Sequence, residues 1–200
     1  LALPDTVETL RHRDRVEVVS GSLSDSAVLA EATRGVQIVY HLAAIHLSAL
    51  RAISDPRDLS TMNVEGTDCL LRACAIAAVR RIVFTSSMAV YNPAPWPFMW
   101  PIHETHPLRT TGGDNLRSYA LSKIEAEELI RRAHQEHGIE TIILRAPAVY
   151  GPGAPWLDRL VRSIATNPWS ALTRLGRFAG NQWIERRDLA RAIIISGTTA

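Results

Sequence analysis

Tyr119-Ala-Leu-Ser-Lys123 sets a phenol and an ammonium four residues apart, and Ser87 lies upstream at the end of a β-branched run. On a helix, that spacing puts both side chains on one face. An adjacent ammonium favours the phenolate, so the expectation is a Tyr119 pKa drawn down from about 10 toward working pH. Such a phenol could take the proton of a secondary alcohol during oxidation or return one to a ketone. The Ser87 hydroxyl could hydrogen-bond the same oxygen. A tyrosine and a lysine also meet at this spacing by chance. The elements that hold them decide between the two readings.

Those elements alternate. Val16-Glu-Val-Val-Ser20 reads as a short strand. Ser24-Asp25 can cap a helix running to about Thr33 and closed by Gly35. Val36 to Ala44 is an apolar run with a β-branched centre, hence a buried strand. From Pro56 to about Ala78 apolar residues recur at helical intervals, and Arg81 to Ser86 is a third strand. An irregular stretch rich in proline and tryptophan, Asn92 to Arg117, is too long for a plain connector. Tyr119 to about His137 is helical with Gly138 as its stop, Glu140 to Ala146 is a fourth strand, and Trp156–Ala165 and Asp188–Ser196 read as further helices.

Alternation of this kind predicts an α/β fold, a Rossmann-like doubly wound parallel sheet with helices on both faces. Ligands of such sheets collect beyond the carboxyl ends of the strands. Ala43-Ala44, Ser86-Ser87 and Ala146-Pro147 all fall there, so the candidate serine stands where the fold places chemistry.

Bulk composition narrows the class. The 200 residues carry a formal net charge of +2 with 46% hydrophobic content, an ordinary globular balance that makes no general case for nucleic acid or an anionic membrane. No apolar run reaches membrane-spanning length. Cys69 and Cys74 are five apart on one helix and point in different directions, so no disulfide is expected between them; a cytoplasmic setting fits. The pairs His134/His137 and His103/His106 lack a third ligand nearby, and no metal is expected.

Taken together, these segments resemble the extended short-chain dehydrogenase/reductase family, also called the NAD-dependent epimerase/dehydratase family. His41-Leu-Ala-Ala44 looks like the family's fourth-strand end, and Asn63-Val-Glu-Gly-Thr67 like its helix signature. Thr85-Ser-Ser-Met-Ala-Val-Tyr91 resembles the segment bearing the active-site serine, and Leu144 to Gly153 the nicotinamide-side strand. The resemblance implies Tyr119 as acid/base, Ser87 as its hydrogen-bonding partner, and Lys123 lowering the tyrosine pKa while holding the nicotinamide ribose. It implies a cofactor, NAD or NADP, lined by Ser22, Leu23, Leu42, Ala43, Ala44, Ser86 and Pro147. Asn63 is expected to tie neighbouring loops and Gly66 to permit close helix packing. Residues 1–150 would form a partial dinucleotide-binding core and 151–200 the beginning of a substrate-binding region. A homodimer through a four-helix contact of Pro56–Ala78 and Tyr119–His137 is a further implication.

The departures carry information too. The family's G-x-x-G-x-x-G turn has no counterpart: Gly151 and Gly153 form the only G-x-G. The chain is therefore expected to be an N-terminally truncated piece, with weak cofactor binding by itself. Ser22 stands where an aspartate usually faces adenine. Met88-Ala89 follow Ser87 where sugar 4,6-dehydratases carry acidic residues, which disfavours dehydration. Ala148 replaces an asparagine common in nucleotide-sugar enzymes, and no arginine stands near Asn181. The weight moves toward alcohol/ketone oxidoreduction of a small, less charged molecule, as in steroid-dehydrogenase-like and flavonol-reductase-like branches. An epimerase, a non-catalytic dinucleotide-sensing regulator and an inactive fragment are the alternatives.

Overall fold

The computed structural model describes residues 15–45, 61–92, 102–110, 115–152, 154, 161–162, 165–166 and 182–199. Three parallel strands lie side by side in chain order: β1 (Ile38–His41), β2 (Arg81–Ser87) and β3 (Glu140–Ala146). β2 is buried along most of its length, as a strand covered on both faces must be. Its register pairs Ser86 with Arg145 and Ser87 with Ala146, while His41 pairs with Phe84. The carboxyl ends of the strands thus share one edge.

Helix α1 (Ser26–Thr33) precedes β1, α2 (Gly66–Ile76) leads into β2, and α3 (Asn115–His137) crosses from β2 to β3. Asp25 caps α1, its carboxylate accepting from the Ala27 and Val28 amides at 3.0 and 3.2 Å. Gly35 and Gly138 follow α1 and α3 with φ of +71° and +69°, the left-handed exit that a side chain resists. Alternation along β2 then sorts its side chains. Ile82 and Phe84 enter a core with Leu70, Cys74, Ala126 and Ile130 from α2 and α3. Arg81 points the other way, to α4 (Arg186–Thr198), where it donates to the carbonyls of Ser196, Gly197 and Thr199. Helices cover both faces, as expected of a doubly wound sheet.

Gly66 is required by packing. A Cβ there would stand 2.9 Å from the Cβ of Leu23, so α2 and the segment before α1 meet without room for a methyl group. Gly66→Ala is expected to cost about 1–3 kcal/mol, readable as a lowered urea midpoint with an unchanged slope.

Several expectations need correction. Val16–Ser20 forms no strand: a strand exists only by pairing, and none of the described strands lies alongside it. β1 occupies only the centre of the run Val36–Ala44, because the residues beyond His41 leave the ladder. α2 is entered through a π-helical turn, Thr61–Glu65. α3 begins at Asn115, a turn ahead of Tyr119. A second, two-stranded parallel sheet, β4 (Ala148–Tyr150) with β5 (Trp183–Glu185), was not foreseen; three-residue strands carry too little periodicity to read. Residues 56–60, 93–101 and most of 156–165 lie outside the described residues.

Candidate active site

The site is assembled where β2 ends against the first turns of α3. Ser87 closes the strand and its Oγ accepts from the Ala89 amide at 3.2 Å, capping a 3₁₀ turn, Met88–Val90. The Ser87 hydroxyl also hydrogen-bonds the phenol of buried Tyr119. One helical turn on, Lys123 is 3% exposed. Its Nζ donates to the Thr85 carbonyl at 3.0 Å and lies 4.7 Å above the centre of the Phe84 ring. The structure therefore brings the serine, the tyrosine and the lysine to one strand tip.

Their electrostatics differ from expectation. Burial raises the Tyr119 pKa, and the Ser87 hydrogen bond only partly opposes it. Burial lowers Lys123 to about 8, with the Glu127 carboxylate pulling the other way. The phenol is not acidified, because desolvation penalises both charged forms and the ammonium is directed to a carbonyl and a ring face. In the resting chain the tyrosine holds its proton and the lysine is the group poised near neutrality.

A buried polar network supports this corner. The Asn63 side chain accepts from the Ile45 amide at 2.7 Å and donates to Ser122 Oγ at 3.0 Å. Ser122 in turn donates to the Tyr119 carbonyl at 2.8 Å. Asn63 thus ties the segment after β1 to the helix of Tyr119, the role expected of it. The Thr67 hydroxyl donates to the Asn63 carbonyl at 2.6 Å, so it accepts from His41 Nε2 at 2.8 Å, which fixes the proton on that nitrogen. Burial, aided by the Lys123 charge, lowers His41 to about 4. It is a neutral core histidine.

The residues expected to line a cofactor fall into two groups. Leu42 (54% exposed), half-buried Ala43 and Ala44, buried Ser86 and half-buried Pro147 stand at the same sheet edge. Ser22 and Leu23 stand in the turn before α1. Ser22 Oγ is bonded to Ser24 Oγ at 2.8 Å and accepts from its amide, and the Leu23 side chain is occupied with Gly66. Sequence reasoning passed over Glu127 and Arg145. Glu127 continues the Tyr119–Lys123 face by one more turn, and an acidic residue on a helix's buried face was the available signal.

A dinucleotide fits this edge. Lys123 supplies a cation there, and the Thr85 hydroxyl is buried beside it without a hydrogen-bond partner. Among the described residues, no group of three histidine, cysteine or carboxylate side chains could hold a metal ion, and no helix is long and apolar enough to cross a membrane. Cys69 and Cys74 are free thiols on α2, the latter pushed up to about 11 by burial.

A doubly wound parallel sheet with serine, tyrosine and lysine at its carboxyl edge defines the dinucleotide-binding α/β class. The model of the NAD dependent epimerase/dehydratase family matches residues 3–199, and the chain belongs to that family. It is 30% identical over 148 residues to 3beta-hydroxysteroid-dehydrogenase/decarboxylase isoform 2 of Arabidopsis thaliana, a match covering 74% of this chain and 24% of that protein. To 3beta-hydroxysteroid dehydrogenase/Delta(5)-Delta(4) isomerase 1 of Caenorhabditis elegans it is 29% identical over 176 residues, 86% of this chain and 36% of that protein. Among solved structures, a short-chain dehydrogenase/reductase superfamily protein from Agrobacterium tumefaciens with bound NAD superposes with a TM-score of 0.70 at 27% identity. That match covers 92% of this chain and 63% of that one. The chain thus spans about a quarter to a third of the length of these curated relatives.

Proposed function

We propose that this chain carries the catalytic corner of an NAD-dependent oxidoreductase that interconverts an apolar secondary alcohol, of the 3-hydroxysteroid kind, and its ketone. The observation that carries the reading is the buried Tyr119 phenol hydrogen-bonded to the strand-tip Ser87, with Lys123 one turn behind. Bound NAD would supply the hydride acceptor. Residues 1–150 would hold it, and 151–200 would open the substrate side, with α4 returning to cover the sheet. The steroid class is supported by the two curated relatives and by Met88-Ala89 after Ser87, which offer no acid or base for elimination.

Ser87 and Tyr119 would flank the substrate oxygen and orient it by two hydrogen bonds. With its proton retained, Tyr119 is set to protonate a carbonyl oxygen. For alcohol oxidation it must first lose that proton, and the amine of Lys123, uncharged above about pH 8, is a group one turn away that can take it. Oxidation is therefore expected to rise with pH through an inflection near 8, while reduction falls. Lys123→Met should remove that inflection from the pH–rate profile.

The test is NADH accumulation with a 3β-hydroxysteroid, compared with a nucleotide sugar. Net NADH from the steroid supports the reading. Isomerised sugar without NADH would replace it with epimerisation, which returns the hydride to the same carbon. A homodimer through α2 and α3 belongs to the same proposal, supported by Ile76, 87% exposed on α2. So does a cytoplasmic, reducing setting, supported by the two free thiols.

A further inference from the structure

Glu127 is 0% exposed in its side chain, yet it is ionised by its surroundings. Burial pushes its carboxyl up, but Arg145, helped by Ser86 and Arg131, holds it below the usual carboxylate range. Arg145 Nε and Nη2 grip the carboxylate at 2.9 and 2.7 Å, the two-pronged geometry that a guanidinium suits best. Arg131 adds a third bond at 2.8 Å. The other nitrogen of Arg145, Nη1, leaves the pair. It donates to the Tyr91 hydroxyl at 3.0 Å and to the Glu104 carbonyl at 3.1 Å, and the guanidinium lies 4.9 Å over the Tyr91 ring.

These contacts join α3 to two segments that are already bonded to each other. Glu127 is on α3, one turn beyond Lys123. Tyr91 closes the turn that begins at Ser87. Glu104 belongs to the segment 102–110, which is stitched to that turn by Asn92 N–H to the Pro107 carbonyl at 2.9 Å, Arg109 N–H to the Val90 carbonyl at 2.8 Å, and Arg109 Nε to the Ala89 carbonyl at 2.7 Å.

We infer that the Glu127–Arg145 pair is a positioning device: it locks the Ser87–Asn92 turn and the 102–110 segment onto the helix bearing Tyr119 and Lys123, so that the serine meets the tyrosine. Arg145 is a positioning residue rather than a catalytic one, since it touches the loop and the helix and not the reacting oxygen. A buried pair of this kind is weak as a source of stability, because desolvation offsets the attraction. Specifying one arrangement of loop and helix is the use that its extra contacts to Tyr91 and Glu104 serve. The inference rests on the catalytic reading of Ser87, Tyr119 and Lys123 for its purpose, but its geometry is testable without turnover.

The experiment is amide hydrogen exchange on the full chain, comparing wild type with Arg145→Lys and Tyr91→Phe. Arg145→Lys keeps the charge and loses the fork; Tyr91→Phe keeps the ion pair and loses one strut. The expected result is at least a tenfold loss of protection at the Asn92 and Arg109 amides in Arg145→Lys and a few-fold loss in Tyr91→Phe, with Val83 and Ile143 unchanged. Unchanged loop amides in both variants, or a uniform loss that includes Val83 and Ile143, would overturn the inference. A second readout separates positioning from bulk packing: the NMR titration of the Lys123 amine, around which His41, Tyr119 and Glu127 are the titratable groups. Glu127→Gln is expected to lower its midpoint further, by removing a facing negative charge. A rise would mean that water had entered a merely loosened core. If Tyr119→Phe left turnover intact while these shifts appeared, the catalytic role given to Tyr119 would fall and the lock would stand.

Discussion

Tyr119→Phe is expected to slow alcohol oxidation about 10²–10⁴-fold, the usual contribution of a positioned acid/base, with little effect on stability. In the proposed reaction the phenol oxygen exchanges the proton with a substrate held by Ser87. Removing it deletes one hydrogen bond, worth about 1 kcal/mol, which in a domain of this size lowers the melting temperature by about 2–4 °C. The ring stays, and with it the apolar contact that buries the position. Steady-state rates together with a thermal melt check both halves: kcat should collapse and the melt should barely move. A collapse of both would mean that the phenol was structural.

Arg81→Met should do the reverse. Arg81 is buried on β2 and bonds three carbonyls at the C-terminal end of α4, those of Ser196, Gly197 and the capping Thr199, while its Nε meets Glu140 at 2.7 Å. Those carbonyls have no partner within the helix, and the cation sits at the negative end of the helix dipole. Truncating the guanidinium strands them against the sheet, where an unsatisfied acceptor costs about 1–3 kcal/mol. With the loss shared among several acceptors, some of which regain water, about 3 kcal/mol in total is expected, or roughly 6–12 °C in melting temperature. Urea denaturation measures it. The comparison is Glu140→Gln, which alters only the exposed end of the contact and should shift the midpoint far less. Alcohol turnover at low temperature should persist in Arg81→Met, since Arg81 lies on the face of β2 away from Tyr119.

Much of the architecture was legible in the residues. The buried runs Arg81–Ser87 and Glu140–Ala146 and the helix stops Gly35 and Gly138 speak through composition and local conformation, which a sequence states directly. The convergence of Ser87, Tyr119 and Lys123 followed from strand order and helical spacing. What escaped depends on distance in the fold. Val16–Ser20 has the composition of a strand but no described neighbour, and pairing is a tertiary fact. The direction of the Tyr119 shift was misjudged because spacing reveals that an ammonium is near. It says nothing of how dry the pocket is, and here dryness prevails. Glu127 and Arg145, 18 residues apart in sequence, become a pair only once β3 lies beside α3.

The most direct measurement follows a labelled hydrogen. A 3β-hydroxysteroid deuterated at the carbinol carbon is incubated with the chain and NAD, and the nicotinamide is analysed by mass spectrometry. The account predicts deuterium on the nicotinamide ring with wild type, with transfer lost in Tyr119→Phe and at neutral pH strongly reduced in Lys123→Met. Transfer at the wild-type rate by Tyr119→Phe, or none by a wild type that demonstrably binds NADH, would contradict it.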